Sequence, residues 1–233
     1  MDLLASGRAA DVYDLGDGTV LRRYRDDFLA RWQGTPDCAR EAEAMLWAAR
    51  HGVAVPHVVH AEGGDIVMEK VSGPTLLDDV ARRPWRVRAG GRLLAQLHRQ
   101  LDAVPVPEGA PLPAPYGIGT GLLHRDLHPG NVILSDRGPV LIDWSGLAKG
   151  PRDADVAESW VILACFSPPP AQLAQRLVTA AGRSLFLNAF LGAVDRQGAA
   201  RWLGPVAALR EGDVNASARE RAAMRALVAQ AAG

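Results

Sequence analysis

The chain has 233 residues, of which 26 are basic and 26 acidic, so its formal net charge is zero. A hydrophobic content of 48% with 22% charged residues is typical of a globular protein and excludes a wholly disordered chain. The neutral total gives no sign of a nucleic-acid binder, and no apolar run is long enough for a membrane span. Two cysteines, Cys38 and Cys165, do not make a disulfide framework, and the first residues lack the features of a signal peptide. A cytoplasmic location is therefore expected.

The first third of the chain predicts a small sheet with one helix. Gly16-Asp17-Gly18 is a hairpin turn signal between two apolar segments. Helical spacing of apolar residues spans Cys38 to His51, and Gly52 follows as a stop. The predicted strands are, in chain order, residues 10–15, 19–24, 53–59 and 65–71.

Helices dominate the prediction from Ser72 onward. Leucines recur on one face over residues 88–101, and a loop rich in proline and glycine follows, from Pro105 to Gly121. Two short apolar strands are predicted at residues 131–134 and 140–142. Beyond residue 153 the composition predicts helices, with breaks at residues 167–170, Gly182, Gly198 and Gly212.

These elements predict an α+β fold with two lobes. A small β-rich lobe with one main helix covers residues 1–69, and a larger α-helical lobe lies within residues 70–233. The hinge between them is predicted near residues 69–73.

Three oxygen-bearing side chains stand out by their spacing. Asp126 and Asn131 lie five residues apart on a loop, and Asp143 ends the second strand of the following hairpin. Phosphoryl transfer from ATP needs such a set: one carboxylate to orient and deprotonate the attacking hydroxyl, and a second carboxylate with an amide oxygen to hold Mg²⁺. Magnesium prefers oxygen ligands, which fits Asp and Asn better than His or Cys.

The segment His124-Arg-Asp-Leu-His-Pro-Gly-Asn131 resembles the catalytic loop of the protein-kinase-like fold. Its His-Pro-Gly-Asn ending resembles the aminoglycoside phosphotransferase and choline kinase branch, whose members act on small molecules. The resemblance implies ATP and Mg²⁺ as cofactors, Asp126 as the catalytic base, and Asn131 and Asp143 as metal ligands. It also implies supporting roles for His124, Arg125, His128 and Asp155; His128 stands where protein kinases have a lysine.

The resemblance extends to the first lobe, which would bind the nucleotide. Ser6 and Gly7 stand where a phosphate-covering loop is expected, although Gly7 is the only glycine there. The family's strand lysine has no counterpart, because the chain's two lysines are Lys70 and Lys149. The segment Thr19-Val-Leu-Arg22 resembles that strand, which makes Arg22 the expected phosphate-binding cation and Arg23 the competing choice.

A glutamate should pair with the strand cation, and two are available at the start of the helix. Glu41 resembles the family residue, whereas Glu43 lies about 200° further around the helix, so both cannot face Arg22. The segment Ile66 to Gly73 resembles the family's hinge. The backbone of Glu69 and Val71 would bind adenine there, and Met68 would line the pocket behind it.

The interval between Asp143 and Asp155 is only 12 residues. Protein kinases place a long activation segment there, so a small-molecule hydroxyl is the expected acceptor. Residues 1–69 carry 7 basic and 12 acidic residues, which gives the rest of the chain a net charge of +5. A polycationic acceptor is therefore disfavoured. A nucleotide-binding pseudokinase and a protein kinase remain the alternatives, and nothing in the sequence indicates an oligomeric state.

Overall fold

The computed structural model describes residues 1–7, 9–26, 38–117, 119–165, 173–213 and 216–232. The chain divides into two compact units. The first comprises Met1–Pro74 and Ile133–Leu147, and the second comprises Thr75–Val132 and Ala148–Gly233. The segment 133–147 therefore packs with the first unit, although the predicted division grouped it with residues 70–233.

The first unit contains a five-stranded sheet in the order β1-β2-β3-β5-β4, in which every neighbouring pair is antiparallel. The five strands are β1 (Asp2–Ser6), β2 (Ala10–Asp14), β3 (Thr19–Tyr24), β4 (Val58–Glu62) and β5 (Asp65–Glu69). The unit also contains helix α1 (Cys38–Arg50) and most of the hairpin formed by β7 (Val132–Ser135) and β8 (Gly138–Leu141). The predicted β-rich region is confirmed.

The β2–β3 hairpin forms because two glycines allow its turn. Gly16 and Gly18 have φ angles of 81° and 86°, a region that side-chain-bearing residues rarely adopt. The predicted strand at residues 53–59 is shorter than expected and begins at Val58. The carbonyl of Ala54 instead accepts a hydrogen bond from the N–H of Leu141, so this part of the chain pairs with β8 rather than extending the sheet edge.

The second unit is mostly helical. Its helices are α2 (Leu76–Arg82), α3 (Val87–Asp102), α4 (Arg152–Cys165), α5 (Leu173–Leu191), α6 (Arg196–Ala200), α7 (Leu203–Glu211) and α8 (Ala218–Ala232). Strands β6 (Gly121–Leu123) and β9 (Ala148–Gly150) form a small antiparallel pair. Within the described residues, no helix has the length and apolar character that a membrane span requires.

Two predicted helix breaks are wrong. Gly182 lies inside α5 and Gly198 inside α6, because an interior glycine costs a helix only about 1 kcal/mol and tertiary packing can override that cost. Gly212 does end α7 as predicted. The break at residues 167–170 lies outside the described residues. Helix α2, which was not predicted, begins with a capping box between Thr75 and Asp78.

Helices α3 and α5 approach closely at a pair of glycines in α3. A Cβ atom on Gly91 would lie 2.4 Å from the Phe186 carbonyl oxygen and 2.9 Å from the Phe190 nitrogen, both in the backbone of α5. Gly90 similarly faces the Phe186 ring at 2.9 Å. Backbone atoms cannot move aside as a flexible side chain can, so a larger residue at position 91 must separate the two helices.

We predict that Gly91→Ala lowers the free energy of unfolding by about 1 to 3 kcal/mol, because overpacking outweighs the gain in helix propensity. Gly182→Ala is the matched control, since a Cβ at this helical position meets nothing within 4 Å. It should raise stability by about 0.5 to 1 kcal/mol. Denaturant unfolding of the two variants measures both changes in the free energy of unfolding. Changes of the same sign would contradict the close approach of α3 and α5.

Candidate functional site

A group of four side chains in the first unit centres on buried Arg22. Its side chain sits on β3 with 5% of the residue exposed. Its Nη1 donates to both carboxylate oxygens of Glu41, at 2.8 and 2.9 Å, and its Nη2 donates to Asp143 Oδ1 at 3.0 Å. The Tyr24 hydroxyl donates to Glu41 Oε2 at 2.8 Å. We call Arg22, Tyr24, Glu41 and Asp143 the Arg22 cluster.

Strand and helix periodicity explain which residues meet there. Arg22 and Tyr24 are two positions apart and so share one face of β3, whereas Arg23 points to the other face and pairs with exposed Asp65 at 2.8 Å. On α1, Glu41 is buried and Glu43 is exposed. The structure therefore brings Arg22 together with Glu41. The alternatives Arg23 and Glu43 lie outside the cluster.

Electrostatics keep the Arg22 cluster in a defined charge state. Burial alone would lower the pKa of Arg22, but the carboxylates of Glu41 and Asp143 outweigh it and hold that pKa above its ordinary value. Burial, together with the Glu41 carboxylate, raises the pKa of Tyr24. At neutral pH the cluster thus holds a permanent cation and a neutral phenol that donates a hydrogen bond.

Asp143 occupies a left-handed backbone position at the end of β8, with φ 60° and ψ 72°. Such a conformation costs a non-glycine residue about 1 to 2 kcal/mol and persists where surrounding contacts impose it. The next residue, Trp144, is fully buried and its Nε1 donates to the Leu141 carbonyl at 3.2 Å. The Ser145 hydroxyl donates at 2.8 Å to Asp143 Oδ1, the oxygen that also accepts from Arg22, so the turn helps to orient the carboxylate.

The segment 124–131 of the second unit, the Asp126 loop, folds around its own polar atoms. The Asp126 N–H donates to His124 Nδ1 at 3.3 Å. The Asn131 side-chain nitrogen donates to the Asp126 carbonyl at 2.8 Å and to Asp126 Oδ2 at 3.1 Å. Since that amide nitrogen is engaged, the atom that Asn131 would offer to a cation is its Oδ1.

Asp155 supports the Asp126 loop from helix α4. Its Oδ1 accepts the N–H of Arg125 at 2.6 Å, and Arg125 has a positive φ of 64°. Its Oδ2 lies 3.3 Å from Nδ1 of buried His98. Asp155 is the fourth residue of α4, so it does not cap that helix.

Burial would raise the pKa of Asp155, but its interaction with nearby His98 holds that pKa below its ordinary value. A second contact ties the same histidine to the loop. The Ser159 hydroxyl donates to the Leu127 carbonyl at 2.6 Å, so His98 Nε2, 2.9 Å away, is the donor to Ser159. The loop is thus anchored through both Arg125 and Leu127.

Two further side chains lie near the Asp126 carboxylate. His128 Nδ1 accepts the Gly130 N–H at 3.0 Å, and its Nε2 lies 3.8 Å from Asp126 Oδ2. Arg210 of α7 reaches Asp126 Oδ1 at 3.7 Å and is also bound to buried Glu158. Sequence reasoning missed the contacts of Arg210 with Asp126 and of Glu158 with Arg210. Glu158 lies one helical turn after Asp155, which is a usable signal, but nothing in the spacing connects Arg210 with Asp126.

The remaining predicted residues lie in the first unit. The Ser6 hydroxyl donates to Asp11 Oδ1 at 2.6 Å and the Gly7 N–H donates to the Ala10 carbonyl at 2.9 Å, so the end of β1 is hydrogen-bonded to β2. Met68 is buried on β5. The Glu69 N–H donates to the His57 carbonyl at 2.8 Å, and Val71 follows the end of the strand.

Among the residues that the structure describes, no three or more His, Cys, Asp or Glu side chains are arranged to hold a metal ion. The candidate magnesium ligands are instead one carboxylate, Asp143, and one amide, Asn131. Asp143 belongs to the first unit and Asn131 to the second, and each offers an oxygen, the ligand atom that Mg²⁺ prefers. Both described cysteines are buried, and burial raises the pKa of Cys165 to about 11, so neither has the character of a nucleophile.

Residues 2–117 and 110–193 match the phosphotransferase enzyme family, APH. The chain belongs to this family. Its fold is the protein-kinase-like α+β fold with a β-sheet N-terminal region and a helical C-terminal part, as expected from the resemblance. The family is one of phosphotransferase enzymes.

Solved structures agree on the fold. The ADP-bound aminoglycoside phosphotransferase APH(2'')-Ib has a TM-score of 0.61 at 12% identity, covering 99% of this chain and 90% of that protein. The aminoglycoside phosphotransferase APH(4)-Ia with ADP and hygromycin B gives 0.57 at 16% identity, covering 99% and 94%. A choline/ethanolamine kinase family protein from Mesorhizobium loti gives 0.54 at 15% identity, covering 97% and 85%.

Curated relatives are similar over shorter stretches. A probable serine/threonine-protein kinase BUD32 homolog of Archaeoglobus fulgidus is 31% identical over 129 residues, 55% of this chain and 54% of that protein. A probable bifunctional tRNA threonylcarbamoyladenosine biosynthesis protein of Methanoculleus marisnigri is 31% identical over 146 residues, 60% of this chain and 23% of that protein. The matches thus span about half and about a quarter of these relatives.

We predict that Asp155→Asn destabilises the protein by about 3 to 5 kcal/mol at pH 7, because it leaves buried His98 without its carboxylate partner. The pKa of Asp155 is lower in the folded state than in the unfolded state. Its stabilisation is therefore present above the unfolded value of about 3.9 and is lost as the pH falls through the folded value.

Urea unfolding between pH 7 and pH 2 measures this dependence. The difference between wild type and Asp155→Asn should shrink at the acid end, while the exposed Glu108→Gln control should follow the wild type throughout. A difference that stays constant down to pH 2 would contradict the proposed charge pairing.

Proposed function

We propose that this protein transfers the γ-phosphate of ATP to a hydroxyl group of a small molecule. The observation that carries the proposal is the interval from Asp143 to Asp155, every residue of which is described. It contains a single 3₁₀ turn at 144–146, strand β9 and the start of α4. A protein kinase uses this interval for a long activation segment on which a protein substrate docks, and that segment has no counterpart in this chain.

Asp126 is the proposed catalytic base. Its carboxylate would accept the proton of the acceptor hydroxyl while the hydroxyl oxygen attacks the γ-phosphorus in line with the departing ADP oxygen. The contacts with Asn131 and Arg210 hold this carboxylate in one orientation. Such positioning, rather than covalent chemistry, supplies most of the rate in phosphoryl transfer.

The Arg22 cluster is the proposed phosphate-binding element. Arg22 would hold nucleotide phosphate oxygens, and Glu41 would keep its guanidinium oriented through the two hydrogen bonds described above. Ser6 and Gly7 would cover the phosphates. The backbone of Glu69 and Val71 would bind adenine, and Met68 would line the adenine pocket.

Asn131 and Asp143 are the proposed ligands of Mg²⁺, which would neutralise charge on the phosphates. His124, Arg125, His128 and Asp155 are proposed to support the Asp126 loop. Their contacts within the second unit, set out above, favour that role over direct participation in the reaction.

The acceptor class rests on charge as well as on the missing segment. The net charge of +5 beyond residue 69 disfavours a polycation. We therefore propose a neutral or anionic small alcohol, handled in the cytoplasm without nucleic acid or membrane as a partner. The names of the curated relatives include serine/threonine kinases. Phosphorylation of a protein is thus the first competing function. Nucleotide binding without transfer, as in a pseudokinase, is the second.

We predict that Asp126→Asn lowers kcat by about 10² to 10⁴-fold, because general-base catalysis is lost while nucleotide binding is retained. The change in kcat is measured as ADP formation with a panel of acceptors. The panel contains sugars, nucleosides, amino alcohols, macrolides, aminoglycosides and a generic protein substrate. Asp136→Asn, on the exposed turn between β7 and β8, is the control and should match the wild type.

Equal activity of the wild type and Asp126→Asn would exclude Asp126 as the base. Transfer to protein alone would favour the protein-kinase function. Binding of Mg-ATP without transfer to any acceptor would favour the pseudokinase.

We predict that Arg22→Ala raises the KM for ATP by about 10- to 100-fold, since a charge-assisted hydrogen bond contributes about 1.5 to 3 kcal/mol. Arg23→Ala is the matched control, because the Arg23 side chain is exposed and pairs with Asp65 at the surface; the KM of this variant should stay within about twofold of the wild-type value. Should Arg22→Ala fail to fold, Arg22→Lys keeps a cation and should still raise KM. Equal KM values for the two positions would contradict the assignment of Arg22.

A further inference from the structure

Glu158 is an unusual carboxylate in the second unit because it is entirely buried, with 0% of the residue exposed. Three donors from three different segments reach it. The Tyr116 hydroxyl and Arg125 Nε donate to Oε1, the latter at 3.2 Å, and Arg210 Nε donates to Oε2. A buried carboxylate is stable only when paired and hydrogen-bonded in this way, so the arrangement specifies where all three donors lie.

Arg210 uses the other end of its guanidinium on the Asp126 loop. Its Nη2 donates to the Arg125 carbonyl and lies 3.7 Å from Asp126 Oδ1. A guanidinium is planar and rigid, so fixing Nε on Glu158 also fixes the direction of Nη2. The side chain is 17% exposed, and the carboxylates of Glu158 and Asp126 keep its pKa above the ordinary value although burial opposes this.

The two oxygens of Asp126 are therefore held from different sides. Oδ1 faces Arg210, and Oδ2 faces the Asn131 amide nitrogen at 3.1 Å and His128 Nε2 at 3.8 Å. The peptide carbonyl just before Asp126 is bound by the same Arg210 nitrogen, next to the strained positive φ of Arg125. One arginine thus restrains both the backbone and the side chain of this residue.

We infer that Arg210, oriented by Glu158, is a positioning residue that sets the rotamer of the Asp126 carboxylate for proton acceptance. This inference rests on the proposed function, since it takes Asp126 as the base. Arg210 itself touches neither nucleotide nor acceptor in this scheme. Its loss should therefore lower kcat and leave the affinity for ATP unchanged.

The test is a double-mutant cycle with Asp126→Asn and Arg210→Met in the full chain. Arg210→Met alone should lower kcat about 10- to 100-fold with the KM for ATP within twofold of wild type. Added to Asp126→Asn, it should lower the residual rate by less than twofold, because no base remains to be positioned. Arg225→Met, which removes an exposed arginine paired with Glu211, is the control and should match the wild type.

A kcat for Arg210→Met within twofold of wild type would overturn the inference. An equal fall on the wild-type and Asp126→Asn backgrounds would do so too, since a general structural defect is additive. If Arg210→Met fails to fold, Arg210→Lys carries the test: it keeps the charge but not the planar fork, so kcat should fall about tenfold, and a wild-type kcat would overturn the inference.

Glu158→Gln is an independent test of the same inference. It should lower kcat by part of the amount seen for Arg210→Met, because it releases Arg210. An unchanged kcat would exclude Glu158 as the residue that orients Arg210. Failure of the proposed function is distinguished by Asp126→Asn alone, which would then have no effect on transfer.

Discussion

A carboxylate withdrawn from water must be given a partner, and the described part of this chain buries four of them: Glu41, Asp79, Asp155 and Glu158. The price of isolating such a charge is several kcal/mol, so each dictates the position of the cation or donor that meets it. Asp79 holds Arg83 and Arg86 beside helix α2. The other three hold the groups on which the proposed chemistry depends.

Because each of those three carboxylates is buried, it holds its partner group in one orientation. Glu41 fixes the guanidinium of Arg22, Asp155 fixes the strained backbone at Arg125, and Glu158 fixes Arg210. A surface ion pair would not do this, since exposed pairs contribute about 1 kcal/mol or less and allow many side-chain conformations. Asp143, a proposed metal ligand, can leave 40% of its side chain exposed, because Arg22 and Glu41 of the same cluster are buried.

Local rules were enough to predict the features that depend on neighbouring residues. The turn at Gly16 and Gly18 follows from the φ angles that glycine allows, and helix α1 follows from apolar spacing. Alternation along β3 and helix geometry predicted only that Arg22 and Arg23, and likewise Glu41 and Glu43, face different directions; the family resemblance favoured Arg22 and Glu41. The family resemblance of the Asp126 loop then supplied roles that no periodicity contains.

Long-range packing could not be predicted in this way. Gly182 carries a local signal for a break, yet α5 continues through it because helix α3 packs against that helix. The placement of residues 133–147 with the first unit depends on contacts such as that of Leu141 with Ala54. Arg210 contacts the backbone of Arg125, which is 85 positions away in the sequence. Patterns within a single sequence do not predict contacts at that separation.

The arginine in the Arg22 cluster also changes which reagents can report on the nucleotide site. ATP analogues that acylate an amine label kinases through the strand lysine, which must lose a proton before it attacks. A guanidinium whose pKa is held above its ordinary value does not lose that proton and is not acylated. Neither of the chain's two lysines lies on β3: the Lys70 side chain pairs with Asp14, and Lys149 donates to the Ala110 carbonyl. Reagents that acylate the strand lysine of kinases would therefore leave position 22 of this chain unlabelled.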